Sequence, residues 1–92
     1  MSSKIQVKHI LVKGRTKAEE LIELINTGAN FEQLAREHSL DSSGKKGGNI
    51  GFITRGKTVR EFEKAAFALK KGEMTQIPVK TKYGWHLIKR VK

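Results

Sequence analysis

Three polar side chains sit where the surrounding pattern is apolar: His9 in Lys8-His-Ile-Leu-Val12, His86 in Gly84-Trp-His-Leu-Ile88, and Asp41 just ahead of a glycine-rich stretch. Side chains alternate along a strand, so His9 shares a face with Ile5, Val7 and Leu11, and His86 shares one with Ile88, while Trp85, Leu87 and Val91 take the other. Two imidazoles and a carboxylate are open to three chemistries. They could hold a metal ion, although each comes from a separate segment and no ligand spacing links them. They could serve a hydrolase, but the chain has no cysteine and no Gly-x-Ser-x-Gly nucleophile motif. Or they form a polar cluster beside an apolar pocket, which can bind a neutral amide and change its electronics without a covalent step. A purely structural role stands beside these: a buried histidine pair that serves packing, and an aspartate that caps the turn into Ser42-Ser-Gly44.

The elements that must position these groups are legible in outline. Lys4 to Val12 alternates as a strand, and Gly14 breaks it. Thr16-Lys-Ala-Glu19 reads as a capping box opening a helix with Ala18, Leu21, Ile22 and Ile25 on its apolar stripe, stopped at Gly28. Asn30 caps a second helix carrying Phe31, Leu34, Ala35 and, at its end, a structural His38. Gly44, Gly47, Gly48 and Gly51 have the wrong spacing for a phosphate- or dinucleotide-binding loop, and tight bending into a short strand over 49–53 is their expected use. Thr58-Val-Arg-Glu61 reads as another capping box. The helix it opens carries Phe62, Ala65, Ala66 and Leu69, with Lys70 and Lys71 at its negative end and Gly72 as its stop. Residues 73–79 make a connection or edge strand, since Pro78 cannot donate to a ladder. A turn at Gly84 then feeds the last strand. This order predicts an α+β fold with a mostly antiparallel sheet.

Ninety-two residues without cysteine make one domain, residues 1–92, whose core stands on packing alone. The opening Met-Ser-Ser-Lys-Ile lacks a leader's apolar core, and no run approaches the ~20 apolar residues of a membrane span. The expectation is a soluble, cytoplasmic monomer needing no cofactor. The net charge of +10 is unevenly placed: residues 1–18 and 74–92 each carry five basic groups and no acid, while the middle is balanced. If the end strands are neighbours, Lys4, Lys8, Lys80, Lys82, Lys89 and Arg90 form one basic surface. Such a surface attracts nucleic acid or an acidic membrane, and it equally serves solubility. A binding module of that kind is the alternative to an enzyme.

Over residues 5–91 the chain resembles a parvulin-type peptidyl-prolyl isomerase lacking a tryptophan-rich targeting module. The resemblance rests on ordered motifs: Lys8-His-Ile-Leu-Val12, Phe31-Glu-Gln-Leu-Ala-Arg-Glu-His-Ser39, Gly47-Gly-Asn-Ile-Gly51, Phe62-Glu-Lys-Ala-Ala-Phe67 and Tyr83-Gly-Trp-His-Leu-Ile88. It implies a four-stranded antiparallel sheet surrounded by four helices, with the first and last strands central, and proline-containing polypeptides as substrates. It further implies that His9 and His86 are the paired histidines of the active site, that Thr81 supplies the hydroxyl bonded to them, and that Asp41 occupies a position held by cysteine or aspartate. Ile50 and Phe62 match walls of the proline pocket. Thr58 stands where the third wall is usually methionine, with Val59 as a substitute, and Phe52 lies one position early for the aromatic that usually follows the signature glycine. The loop Lys13-Gly-Arg-Thr-Lys17 is shorter than that of phosphate-dependent members, so strict phospho-dependence is not expected.

Overall fold

The computed structural model describes residues 4–92; Met1, Ser2 and Ser3, part of the opening examined for a leader, lie outside it. The described elements run β1 (Lys4–Val12), α1 (Arg15–Asn26), α2 (Phe31–His38), a 3-10 helix (Ser42–Lys46), β2 (Asn49–Thr54), α3 (Arg60–Ala68), β3 (Val79–Thr81) and β4 (Gly84–Arg90). The sheet order is β2-β1-β4-β3, and every neighbouring pair is antiparallel. The end strands of the sequence are therefore the central strands of the sheet. The resemblance implied four helices. Among the described residues there are three α-helices, and the fourth helical segment is the short 3-10 turn.

Burial on both faces explains why Ile10-Leu-Val12 and Leu87-Ile88 are consecutive apolar residues in strands that otherwise alternate. One face presents Ile10, Val12 and Leu87 to Ala18, Leu21 and Ile22 of α1 and to Phe31, Leu34 and Ala35 of α2. The opposite face presents Ile5, Val7, Ile53 and Ile88 to Phe62 and Ala66 of α3. Each such large aliphatic side chain contributes about 1.5–3 kcal/mol on burial. His9 and His86 lie on the α3 face, because His9 pairs with Ile88 and Leu11 with His86 across β1 and β4.

Local signals succeeded unevenly. Asn30 caps α2, its side chain accepting from the Gln33 N–H at 2.8 Å, and the chain leaves α1 through Gly28 at φ +114°. Neither capping box forms. Helix α1 starts two residues early, at Arg15 with Gly14 rather than Thr16 as its cap and no side-chain cap bond, and Glu19 pairs instead with Arg15 at 3.3 Å. Helix α3 starts late, with Val59 as cap, and Glu63 rather than Glu61 reaches back, to the Gly56 N–H. That helix ends at Ala68, so Leu69 is its C-cap and Lys70, Lys71 and Gly72 lie beyond it. Val91 falls outside β4.

Candidate active site

Strand β1 holds His9 at the centre of the sheet, and the glycine-rich segment closes directly over it. His9 N–H donates to Gly48 O at 2.9 Å. A Cβ on Gly48 would stand 2.4 Å from His9 O, and Gly48 has φ +87°, so only glycine permits this approach. Asp41 arrives from the other side. Leu40 N–H donates to Leu11 O at 2.8 Å, and Leu11 N–H donates to Ser39 Oγ at 3.1 Å. Asp41 is also the N-cap of the 3-10 turn, its Oδ2 accepting from Ser43 N–H at 2.9 Å. The turn-capping reading of Asp41 holds, and the cap fixes the carboxylate that faces His9.

These groups form one chain. Asp41 Oδ2 lies 3.3 Å from His9 Nε2, His9 Nδ1 lies 3.1 Å from His86 Nδ1, and His86 Nε2 lies 2.7 Å from Thr81 Oγ1. Tyr83 N–H donates to that same Thr81 oxygen at 3.2 Å. His9, Thr81 and His86 are 6%, 6% and 4% exposed. The direction of the protons follows from the two ends. Burial raises the Asp41 carboxyl, but hydrogen bonding from Ser43 and the neighbouring His9 outweigh it and hold it below the usual value, so the carboxylate accepts and His9 Nε2 carries a proton. His9 Nδ1 is then a lone pair that accepts from His86 Nδ1–H, and His86 Nε2 accepts from the Thr81 hydroxyl. Burial pushes His9 below its ordinary value, against the pull of Asp41. Burial and the adjacent His9 push His86 down to about 4. Both rings are neutral at pH 7. All four ring nitrogens are occupied, so a metal ion could reach either ring only by displacing a hydrogen bond.

The chain backs a cavity of about 330 Å³. Its apolar wall is made by Leu11, Ile50, Val59 and Phe62, while Asp41, His9 and His86 form the polar side and Lys57 and Tyr83 line it as well. Phe62 joins wall to chain. Its ring stands at 85° to His9 and 81° to His86, with centroids 5.4 and 5.3 Å away, the edge-to-face contact that aromatic quadrupoles favour. Ile50 is aimed by a bulge: Val7 pairs with Gly51 and Lys8 with Asn49, leaving Ile50 unpaired. Regular pairing would set it opposite Lys8, on the far face; the extra residue sends it to the pocket. Thr58 also lines the cavity, and its buried Oγ1 has no hydrogen-bond partner among the described residues. Sequence reasoning missed Leu11, Lys57 and Tyr83 as lining residues. Alternation with His9 was the available signal for Leu11; Lys57 and Tyr83 carried none.

The basic residues do not form one surface. Lys4, Lys8, Lys80 and Lys89 stand on the sheet face opposite the histidines, whereas Arg90, opposite Val7, is on the α3 face. Its guanidinium donates to Leu69 O and Lys92 O, which makes it a structural tie. Lys8 pairs with Glu32 at 2.9 Å. Lys89 lies over the Phe31 ring and Lys4 over Phe52. Lys80 and Arg15 flank Trp85, and Lys82 lies over Tyr83 beside the pocket.

An antiparallel sheet with a buried histidine pair at the floor of an apolar pocket defines a prolyl-isomerase class of domain. Residues 7–92 match the rotamase family model described as a PPIC-type PPIase domain, and the chain belongs to that family. It is 46% identical to the foldase protein PrsA of Bacillus subtilis over 93 residues, covering 100% of this chain and 32% of that protein. It is 52% identical to a parvulin-like PPIase of Rickettsia bellii over 89 residues, covering 92% of this chain and 31% of the relative. The chain thus spans about a third of the length of these curated relatives. Among solved structures, the crystal structure of Bacillus subtilis PrsA superposes with a TM-score of 0.94 at 46% identity, covering 98% of this chain and 35% of that one. The solution structure of NmPin, the parvulin of Nitrosopumilus maritimus, superposes with a TM-score of 0.90 at 44% identity, covering 100% of this chain and 99% of that one.

Proposed function

We propose that this chain catalyses cis/trans isomerisation of Xaa-Pro bonds in folding polypeptides without a covalent intermediate, and without strict need for a phosphate before proline. The observation that carries this reading is the apolar pocket of Leu11, Ile50, Val59 and Phe62 backed by the hydrogen-bonded chain Asp41–His9–His86–Thr81. The prolyl amide resists rotation because its C–N bond has partial double character, a barrier of about 18–20 kcal/mol. Twisting removes conjugation and leaves the carbonyl oxygen less negative. An apolar wall around the ring excludes the water that favours the dipolar planar amide. The Asp41 carboxylate at the cavity's polar side disfavours charge on the carbonyl oxygen and so favours the twist, and the pocket binds the twisted form better than either planar one. The histidines keep Asp41 and Phe62 in place and transfer no proton to substrate. All these groups come from one chain, and we read the active unit as a monomer.

Exchange NMR on Xaa-Pro peptides with Glu, phosphoserine, Leu, Phe or Lys before proline tests this. Acceleration across the panel, reduced in Asp41→Ala, is expected, with no large solvent deuterium effect. Exchange confined to phosphoserine would overturn the phosphate-independent reading, and no acceleration anywhere would overturn the enzymatic one.

A second reading rests on the opposite face of the sheet. Lys4, Lys8 and Lys89 share it with Phe52, which is 46% exposed. Lysines around an accessible aromatic suit a phosphate-bearing partner, either an acidic membrane or a nucleic acid. Binding to anionic vesicles or to duplex DNA that weakens steeply with salt supports this reading. Equal binding by a Lys4→Ser, Lys89→Ser variant removes it.

A further inference from the structure

The chain contains one proline, Pro78, and it sits where the active site is completed. Residues 74–81 run along β4 in two registers. Upstream, Met74 bridges Lys89, Thr75 N–H donates to Ile88 O at 2.8 Å, and Ile88 N–H donates to Thr75 Oγ1 at 3.0 Å. Downstream, Val79 pairs with His86 and Thr81 with Gly84. Between the two anchors, Gln76, Ile77 and Pro78 bow outward, with Ile77 70% exposed and Pro78 buried. No described peptide bond is cis, so Ile77–Pro78 is trans.

Both anchors depend on that isomer. A cis bond shortens the Cα–Cα step from about 3.8 to about 2.9 Å and turns the chain, so the upstream and downstream pairings cannot be held together. The pairings of β1 with β2 and β4 draw nothing from residues 76–78, which touch the rest of the fold through buried Pro78 and through Gln76 Oε1, which accepts from Asn26 Nδ2 of α1 at 2.8 Å. A chain with cis Pro78 can therefore build most of the fold but holds only one of the two anchors, and where β3 is the one released, His86 loses Thr81. What remains is a loose edge segment with an apolar residue before proline. In an unfolded chain about 10–30% of such bonds are cis, and unaided exchange takes about 10–100 s.

We propose that folded copies of this chain isomerise Ile77–Pro78 in copies that have not finished folding, so that the protein is its own substrate and maturation of the active site is autocatalytic. This rests on the isomerase reading above. The step is a rotation about one C–N bond; no bond is made or broken and no co-reactant is needed.

Refolding from denaturant tests it. The only tryptophan, Trp85, pairs with Lys80 of β3, so its fluorescence reports β3 docking. A slow phase is expected whose rate rises with total protein. With kcat/KM at the low end of about 10⁴ M⁻¹s⁻¹, going from about 1 to about 100 µM should speed it at least tenfold over the unaided rate. Pro78→Ala should lose the slow phase, and folded Pro78→Ala protein added to dilute refolding wild type should restore the acceleration, whereas folded Asp41→Ala protein should not. A slow phase with one rate at every concentration, or no phase that Pro78→Ala removes, overturns the proposal. A Leu-Pro peptide assayed in parallel separates the two readings. Turnover of the peptide without acceleration of the chain sinks only the self-substrate proposal; acceleration of neither sinks the isomerase reading with it.

Discussion

His9 and His86 meet through like atoms, Nδ1 to Nδ1 at 3.1 Å, with their rings 15° from parallel. A contact between two identical nitrogens holds only if one carries a proton and the other a lone pair. Nothing in the pair itself decides which. Asp41 decides it at one end and Thr81 at the other, and the polarity of the whole chain is borrowed from its termini.

Asp41→Ala removes the acceptor for His9 Nε2–H and the cap of the 3-10 turn. A hydrogen bond to a charged group contributes about 1.5–3 kcal/mol, so kcat/KM should fall about 10- to 100-fold. In the wild type, nitrogen chemical shifts should show His9 protonated at Nε2 and His86 at Nδ1; in the variant that assignment should be lost. Intact tautomers in Asp41→Ala would mean that Asp41 does not set them.

The pH dependence of stability follows from the two neutral rings. Both folded-state pKa values are depressed below histidine's ordinary 6.5, His86 to about 4. The unfolded chain therefore binds more protons than the folded one below pH 6.5. The contribution of the pair is fully present above about pH 6.5 and drains away as pH falls toward about 4. Asp41, also depressed, adds its own loss below an aspartate's ordinary 3.8. Denaturant titrations should give a midpoint that drops between pH 6.5 and 4; a flat midpoint over that window would show that the rings are not held neutral.

Thr58 should be improvable. Its buried hydroxyl has no partner among the described residues, and an unsatisfied buried polar group costs about 1–3 kcal/mol. The isosteric Thr58→Val should raise the unfolding free energy by about 1 kcal/mol with peptide turnover retained. Thr58→Met should instead fill part of the pocket, and its signature is a changed KM. Destabilisation by Thr58→Val would mean that the hydroxyl is satisfied in solution.

Gly48→Ala should be among the most damaging single changes. The new Cβ would meet His9 O at 2.4 Å in a backbone at φ +87°, and overpacking of this kind costs about 1–3 kcal/mol with backbone strain of similar size added. The histidine shifts seen by NMR should move even where the variant folds. Gly14→Ala is the control, since a Cβ there meets nothing within 4 Å.

What the sequence determined by itself is what neighbouring residues decide. Alternation gave β1 and β4 and put both histidines on apolar faces. Asn30 and Gly28 gave a helix start and stop, and ordered motifs carried the resemblance that the family match bears out. The capping boxes did not form: α1 starts with Gly14 as cap and α3 with Val59, and Thr58 faces the pocket instead. Only the tertiary structure decided the rest. The single basic surface divided because strand parity sends Arg90 to one face and Lys89 to the other. The route from Asp41 to Thr81 runs through two links between residues that the chain holds far apart, Asp41 to His9 and His9 to His86, and one local link, His86 to Thr81. Side-chain type is local information, but the direction of a hydrogen bond between two imidazoles belongs to the assembled site, because it is fixed at ends that only folding brings together.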